Sequence, residues 1–311
     1  MLSPRNEFLF YLNGTYVTSS QAKIHCLDWG LHGYSVYDVC RTVNKTRIFR
    51  LGEHIERLYN SLRCAEIDLE VTPDEMKLIH IEVMKRNAHL LGENDDMTIG
   101  VRVTPGPMYE EGRPTICVYA RRIAFEKHAK FFRIGTHLVV PSVRHIPAQC
   151  IDPRVKHDAR LFMHMADREA RRLDPESGAL MLDIYGNVAE LTVANLFIVK
   201  RGAVITPNLR NCLPGISRQV VLELCGKLGM PAFERDIQMF DVYNADEAFQ
   251  TATSYCMLPI SRINTRHLWK KIPGPVTERL LAAYTEEIGV DIAEQYVRHL
   301  DEFERTRLSP A

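Results

Sequence analysis

The chain reads Asp152-Pro153-Arg154-Val155-Lys156-His157-Asp158-Ala159-Arg160-Leu161 near its middle and Gly186-Asn187-Val188-Ala189-Glu190-Leu191-Thr192-Val193-Ala194-Asn195-Leu196-Phe197 further on. The helical spacing of apolar residues predicts a helix over 161–172, shortly after Lys156. Apolar runs predict strands over 179–184 and 195–199, on either side of Glu190. A fold that brings Lys156 and Glu190 to one cavity would place an amine nucleophile beside a carboxylate.

The first half of the chain mixes hairpins and helices. Asn13-Gly14 lies between two apolar runs and predicts a β-hairpin, and residues 36–43 have the pattern of a strand. Thr72 followed by Pro73 predicts the start of a helix with threonine as its N-cap. Because strands and helices do not alternate regularly, we expect an α+β fold rather than a doubly wound parallel sheet.

The chain is long enough for two domains of ordinary size, at 311 residues. After about residue 125 it turns polar and basic without a clear periodicity, as an interdomain crossing does. We therefore expect a smaller N-terminal α+β domain over residues 1–125 and a linker over 126–133. A larger C-terminal domain over 134–311 would carry Lys156.

The composition excludes several classes of function. The 39 Lys and Arg residues balance the 39 Asp and Glu residues, which gives no argument for nucleic acid or an anionic membrane as partner. The sequence has no apolar run of about 18 residues and no signal-peptide pattern at its N-terminus, so we expect a soluble, cytoplasmic protein. No Cys-x-x-Cys or His-x-x-x-His spacing occurs, and we expect no metal site.

The lysine and the acid fit one cofactor chemistry, that of pyridoxal 5'-phosphate. Such a site needs an amine for a Schiff base, an acid at the pyridine nitrogen and a phosphate cup. The apolar surroundings of Lys156 would desolvate its amine, although an isolated lysine is usually a solvated charge, and Glu190 alone could be a surface charge at a hairpin edge. Gly215-Ile216-Ser217 at a predicted helix start could bind an anion, and the stretch 251–254 is a second candidate.

In this order, these segments resemble the class IV (fold type IV) pyridoxal phosphate enzymes. The resemblance covers nearly the whole chain, and matching segments include Ile48-Phe49-Arg50-Leu51 with His54-Ile55-Glu56-Arg57-Leu58, the Lys156 and Glu190 stretches, and Leu213-Pro214-Gly215-Ile216-Ser217-Arg218. The family includes branched-chain aminotransferases, D-amino acid aminotransferases, (R)-selective amine transaminases and aminodeoxychorismate lyase. It implies a small α/β domain, a larger pseudo-barrel domain and a homodimer.

The resemblance also implies roles for single residues. Lys156 would form the Schiff base and shuttle the substrate Cα proton, and Glu190 would bind the pyridine nitrogen. The remaining cofactor-binding residues would be Arg57, Asn195, Gly215, Ile216, Ser217 and Thr253. Arg57 and the backbone amides at Ile216 and Ser217 suit a phosphate group.

The substrate is harder to predict, because the chain mixes the patterns of its relatives. Candidate substrate residues are His32, Tyr37, Val39, Arg41, Arg102, Arg113 and Ala252. Tyr37-Asp38-Val39 resembles the D-amino acid and (R)-amine enzymes, whereas Arg41 and Arg102 match the branched-chain pattern. Asp38 stands where the lyase would carry a catalytic threonine, which disfavours the lyase.

The sequence therefore predicts an aminotransferase that moves an amino group from a branched-chain-like or D-amino acid to a 2-oxo acid. The partners would be these two small molecules. The first alternative is an (R)-selective amine transaminase. Aminodeoxychorismate lyase and a non-catalytic cofactor-binding protein are the other two.

Overall fold

A computed structural model describes residues 7–109, 113–267, 271–300 and 304. The chain forms two compact units. Unit 1 comprises the described residues up to Ile123 together with the segment Val155–Arg160, and unit 2 comprises Ala124–Arg154 with the described residues from Leu161 onward. Helices and strands are mixed in both units, so the predicted α+β class is confirmed.

Unit 1 is built on a six-stranded antiparallel sheet in the order β2-β1-β6-β5-β3-β4. Its elements, in chain order, are β1 (Leu9–Leu12), β2 (Thr15–Thr18), β3 (Val36–Val43), β4 (Arg47–Ile48), α1 (Leu51–Cys64), α2 (Pro73–Asn87), β5 (Met97–Thr104) and β6 (Thr115–Arg122). The Asn13-Gly14 turn joins β1 to β2, with both residues at positive φ. Thr72 caps α2 as predicted, in a reciprocal pair of hydrogen bonds with Glu75.

Unit 2 contains a mixed nine-stranded sheet in the order β12-β11-β10-β13-β14-β7-β8-β9, with β15 paired to β14. Its strands are β7 (Thr136–Val139), β8 (Gly178–Leu182), β9 (Val188–Leu191), β10 (Asn195–Lys200), β11 (Ala203–Thr206), β12 (Ala232–Glu234), β13 (Glu247–Ala252), β14 (Cys256–Ile263) and β15 (Arg266–His267). Its helices are α3 (Phe131–Ile134), α4 (Leu161–Leu173), α5 (Ile216–Lys227), α6 (Met239–Tyr243), α7 (Pro275–Ile288) and α8 (Ile292–Val297). None of the helices in the described ranges is long and apolar enough to cross a membrane.

The predicted domain limits stay predictions, and those at residues 1 and 311 lie outside the described residues. The packing at two of the predicted segments can be described. The expected linker, 126–133, runs through a short 3-10 helix and into α3 within unit 2, where the buried Phe125 stacks on His299 at 4.4 Å between ring centroids. Lys156, expected in the C-terminal domain, belongs to unit 1 because its segment hydrogen-bonds to β3 and α1.

The core of unit 1 lies between α1, α2 and the sheet, with Leu58, Met76, Ile99 and Val101 fully buried. The strand β5 carries Gly100, which lies opposite Tyr119 of β6. A Cβ atom added to Gly100 would lie 2.3 Å from Cζ of the Tyr119 ring. The ring therefore occupies the space that any larger residue would need.

Replacing this glycine should destabilise the sheet. We expect Gly100→Ala to lower the free energy of unfolding by about 1–3 kcal/mol, because the Tyr119 ring must move to make room. Urea denaturation measures the change. Gly52→Ala in α1 is the matched control, since no atom lies within 4 Å of the new Cβ, and it should leave stability unchanged or slightly higher. Equal effects of the two variants would contradict the steric explanation.

Candidate active site

The backbone of the Lys156 segment is bound to strand β3. Tyr37 N donates to Lys156 O at 2.9 Å, Asp158 N donates to Ser35 O at 3.1 Å, and Lys156 N donates to Ser61 Oγ at 3.1 Å. The amine Nζ of Lys156 lies 4.5 Å from the centre of the Tyr37 ring and makes no hydrogen bond to the residues that the structure describes. The backbone of this segment is therefore held in place, whereas no described residue binds the amine by a hydrogen bond.

Arg57, the predicted phosphate ligand, belongs to a buried cluster with Asp38 and His54. Arg57 Nε and Nη2 donate to the two oxygens of Asp38 at 2.8 and 2.9 Å, and His54 Nδ1 donates to Asp38 Oδ1 at 2.7 Å. Burial raises the pKa of Asp38, but Arg57 and His54 outweigh it and hold the pKa well below its usual range. Burial also lowers the pKa of His54, against the pull of Asp38. The cluster therefore keeps Asp38 ionised and gives the Arg57 guanidinium a fixed orientation.

Tyr37 and Arg102, two predicted substrate residues, lie opposite each other on β3 and β5. Arg160 Nη1 hydrogen-bonds to Tyr37 Oη. Arg102 binds Asp158 through two hydrogen bonds, from Nε to Oδ2 at 2.6 Å and from Nη2 to Oδ1 at 3.1 Å. Lys156, Asp158 and Arg160 thus all contact side chains of this sheet or lie against them.

In unit 2, Glu190 is a buried strand residue rather than a surface charge. It lies on β9 and is 6% exposed, because the turn from Asp183 to Asn187 reverses the chain and directs β9 into the core. Its Oε2 accepts hydrogen bonds from Leu213 N at 3.1 Å and from Asn195 Nδ2 at 3.3 Å. Asn195 Nδ2 also donates to Leu213 O at 2.9 Å, which joins both predicted residues to the loop before α5.

His145, which no sequence pattern predicted, faces the other oxygen of Glu190. His145 Nε2 lies 3.5 Å from Glu190 Oε1, and its Nδ1 donates to Ile146 O at 3.0 Å. Burial would lower the pKa of His145, but the nearby carboxylate of Glu190 raises it above its ordinary value. No local pattern around Val143 to Ile146 marks this histidine, since its contact is with a strand distant in sequence.

The start of helix α5 lies close to the same group. Gly215 is the N-cap of α5, and no side chain in the described ranges caps this helix. The backbone N–H groups of its first turn, which include those of Ile216 and Ser217, therefore point out of the N-terminal end of the helix without a side-chain acceptor. A Cβ atom on Gly215 would lie 2.1 Å from Asn195 Oδ1, which requires glycine at this position. The buried Thr251 Oγ1 has no hydrogen-bond partner among the described residues, and Thr251 pairs with Asn195 across β10 and β13.

The other predicted residues are more scattered. His32 is exposed beside Trp29, Arg113 is exposed, and Ala252 and Thr253 are half-buried at the end of β13. Arg41 is 1% exposed and lies 3.6 Å from Asp96, so its charge has a partner inside unit 1. The roles assigned to all of these residues stay predictions.

One cavity of about 590 Å³ lies in unit 2, and its lining includes Asp183 and Asn187 of the turn before β9. Its lining includes Asp152, Arg154, Arg210 and Asp236 and none of the predicted site residues. Arg154 pairs with Asp152 and Arg210 with Asp236, so these four charges are paired within the lining. In the described part of the chain no cluster of His, Cys, Asp or Glu could hold a metal ion.

Comparisons with known proteins indicate the same family that the sequence resembles. The family model described as Amino-transferase class IV matches residues 35–263. A Methanocaldococcus jannaschii protein, provisionally named as a branched-chain-amino-acid aminotransferase, is 32% identical over 87% of this chain and 93% of its own length.

Two solved structures extend the similarity to the fold. The branched-chain aminotransferase of Thermoproteus uzoniensis with norvaline is 28% identical, with a TM-score of 0.81 over 95% of this chain and 99% of that one. The branched-chain amino acid aminotransferase of Escherichia coli is 25% identical. Its TM-score is 0.80, over 89% of this chain and 93% of that one.

The pairing of His145 with Glu190 predicts a pH-dependent stability. The folded-state pKa of His145 is raised, so protonated His145 stabilises the folded protein. This contribution to the free energy of unfolding is fully present below the unfolded-state pKa of about 6.5 and is lost as the pH rises through the folded-state pKa. The difference in free energy of unfolding between wild type and His145→Gln should therefore be largest near pH about 5.5 and should shrink as the pH rises.

His128 is the matched control within unit 2. Burial lowers the pKa of His128, so the stability that depends on this histidine is lost as the pH falls. His128→Gln should show the opposite pH trend in urea denaturation. A difference for His145→Gln that stays constant with pH would contradict the pairing with Glu190.

Proposed function

Since the chain belongs to the class IV aminotransferases, we propose that it transfers an amino group from an amino donor to a 2-oxo acid with pyridoxal 5'-phosphate as cofactor. The observation that carries this proposal is the pair of groups described above. Lys156 presents an amine without a hydrogen bond to the described residues, and Glu190 presents a buried carboxylate. Both groups are needed for this chemistry.

The residues present fit the cofactor. An ionised carboxylate can accept about four hydrogen bonds. Glu190 accepts two hydrogen bonds at Oε2, and His145 approaches Oε1 at 3.5 Å. The carboxylate therefore keeps the capacity to accept one more hydrogen bond, from the N–H of a protonated ring nitrogen. The uncapped start of α5 and the hydroxyl of Thr251, which has no partner among the described residues, are groups that a phosphate would satisfy. Arg57 is the further proposed phosphate ligand.

The chain's own residues then have distinct tasks. Glu190 would hold the proton on the ring nitrogen, and Asn195 and Leu213 would hold the Glu190 carboxylate in place. Lys156 Nζ would take the proton from the substrate Cα and deliver it again, which is general acid–base work for a positioned amine. Pyridoxal phosphate, when bound, supplies an electron sink for the charge that develops at Cα.

We propose branched-chain amino acids as the first donors to test. The relatives that support this are named as branched-chain aminotransferases. A second candidate, an (R)-selective amine or D-amino acid transaminase, is favoured by Val39. This residue is half-buried on β3 and shares a sheet face with Tyr37, two residues before it, so its side chain narrows the space beside that ring.

A donor panel tests the reaction. The purified protein loaded with pyridoxal phosphate is given L-leucine, L-valine, their D-isomers and an (R)-amine, and conversion to the pyridoxamine spectrum is recorded. Conversion by L-leucine and L-valine supports the branched-chain proposal, and conversion by D-isomers or the amine supports the second candidate. Absence of conversion with every donor would reject the aminotransferase proposal.

Lys156 is tested by substitution. Borohydride reduction of the loaded wild type should leave the cofactor covalently attached at Lys156, as shown by peptide mass. Lys156→Ala should give no such adduct and should lose turnover by at least about 10²-fold, because the proton-transfer group is missing. The exposed Lys23 provides a control, and Lys23→Ala should behave as the wild type. Full activity of Lys156→Ala would reject the assignment.

We also propose that the protein works as a homodimer. The support within unit 1 is a run of exposed apolar side chains, Leu27, Trp29, Leu31 and Tyr34, between β2 and β3. Contiguous exposed apolar surface commonly marks a protein interface. Light scattering during size-exclusion chromatography distinguishes a monomer from a dimer.

A further inference from the structure

The serine of helix α1, Ser61, is buried one helical turn after Arg57 and is 2% exposed. Its Oγ donates to the backbone carbonyl of Arg57 at 2.9 Å. A serine inside a helix commonly satisfies its hydroxyl in this way, on the carbonyl four residues earlier. The hydroxyl oxygen can still accept a hydrogen bond, because donation leaves its lone pairs unused.

The second hydrogen bond of this hydroxyl reaches the Lys156 segment. Lys156 N donates to Ser61 Oγ at 3.1 Å, although the two residues are 95 positions apart in the chain. The donation to Arg57 O directs the hydroxyl hydrogen toward that carbonyl, so a lone pair of Ser61 Oγ faces the Lys156 amide. One hydroxyl therefore joins the backbone of the proposed phosphate ligand to the backbone of the proposed reactive lysine.

Strand β3 makes a second connection between the same two residues. Tyr37 N donates to Lys156 O at 2.9 Å, and the next residue, Asp38, accepts from the Arg57 side chain at 2.8 and 2.9 Å. The carbonyl and the amide of Lys156 are therefore bound by two different elements, β3 and α1. Each of these elements also fixes Arg57, which lies on α1 and binds Asp38 of β3.

The amine of Lys156 lies near the cluster that holds Arg57. Burial lowers the pKa of His54, and the positive charge of Lys156 acts on His54 in the same direction. His54 and Arg57 both bind the Asp38 carboxylate, so the amine and the guanidinium belong to one neighbourhood of unit 1. This proximity suits a ligand that carries an anion and an aldehyde on one small frame.

We propose that Ser61 is a positioning residue that sets the place of the Lys156 amine relative to Arg57, so that a phosphate bound at Arg57 brings an attached aldehyde to the amine. The inference rests on the proposed function and its cofactor. A reaction of groups held together is effectively intramolecular, and a misplacement of about 1 Å can slow it about 10²-fold. An aldehyde without a phosphate reacts from solution, so its rate does not depend on this spacing.

The first test compares two aldehydes on the full-length chain before it is loaded with cofactor. Pyridoxal phosphate carries the phosphate, and pyridoxal lacks it. Condensation of either aldehyde with the Lys156 amine releases one water, and borohydride then reduces the product to a stable secondary amine. Peptide mass at successive times gives the rate of modification of Lys156. The ratio of the two rates measures the contribution of the phosphate, and intrinsic differences between the reagents cancel when variants are compared.

We expect pyridoxal phosphate to modify Lys156 of the wild type faster than pyridoxal does. Ser61→Ala should lower the ratio of the two rates by about 10-fold or more and leave the pyridoxal rate unchanged, because only the phosphate-bound aldehyde depends on the spacing. General destabilisation would change both rates alike and leave their ratio as it was. An unchanged ratio in Ser61→Ala, or equal rates with the two aldehydes in the wild type, would overturn the proposal.

Thr98→Val is the matched control, because it removes another buried hydroxyl of unit 1. Thr98 is 4% exposed, and its Oγ1 donates to Arg121 O at 3.3 Å. Thr98→Val should leave the ratio of rates unchanged, and a fall equal to that of Ser61→Ala would overturn the proposal. If Ser61→Ala does not fold, Ser61→Cys decides by the same criterion, since a thiol is close in size to the hydroxyl and is a weak hydrogen-bond partner.

Amide hydrogen exchange in the wild type gives a readout that needs no variant. The Lys156 amide should exchange slowly in the folded protein because it donates to a buried hydroxyl. Rapid exchange at this amide would overturn the proposal.

Kinetics on the loaded protein supply the last readout. Ser61→Ala should lower kcat and leave KM for the amino donor unchanged, because the misplaced amine transfers the proton less well while the donor still binds. A rise in KM with kcat unchanged would overturn the proposal. Failure of the aminotransferase function itself would appear differently, as absence of conversion with every donor in the wild type. The modification rates and the amide exchange would still report on Ser61.

Discussion

The place of Lys156 depends on two backbone hydrogen bonds, from Tyr37 N to Lys156 O and from Asp158 N to Ser35 O. They bind a short segment to β3, and the side chains of that segment then meet the sheet in fixed positions. Lys156 lies over an aromatic ring and Asp158 reaches Arg102. The hydrogen bonds of Lys156 N to Ser61 Oγ and of Asp158 to Ser35 and Arg102 add to this attachment.

The two units handle buried charge in different ways. In unit 1, Asp38 is surrounded by cationic and imidazole donors, and its ionised form is strongly favoured. In unit 2, Glu190 accepts from a backbone amide and a side-chain amide, which are neutral donors, with His145 at a longer distance. The Asp38 carboxylate accepts hydrogen bonds from Arg57 and His54, whereas the Glu190 carboxylate keeps the capacity to bind a further cationic donor.

Local patterns in the sequence predicted much of this architecture. The Asn13-Gly14 hairpin, the strand over 36–43 and the Thr72 cap all follow from neighbouring residues, and the class IV resemblance with its fold type is confirmed. Contacts between distant segments could not be predicted in this way. The return of the Lys156 segment to β3, the approach of His145 to Glu190 and the pairing of Arg102 with Asp158 join residues with no shared local signal.

The N-terminus of α5, which no side chain in the described residues caps, has a consequence for the stability of the protein in a cell. Gly215 gives this helix no side-chain cap. An anion bound there would accept the hydrogen bonds from the first-turn N–H groups that a capping side chain otherwise accepts. Because the anion would bind the folded state only, its binding free energy would add to the free energy of unfolding. Each tenfold rise in free ligand concentration above its Kd would add about 1.4 kcal/mol. The steady-state amount of the folded protein would therefore follow the supply of its ligand as well as its own rate of synthesis.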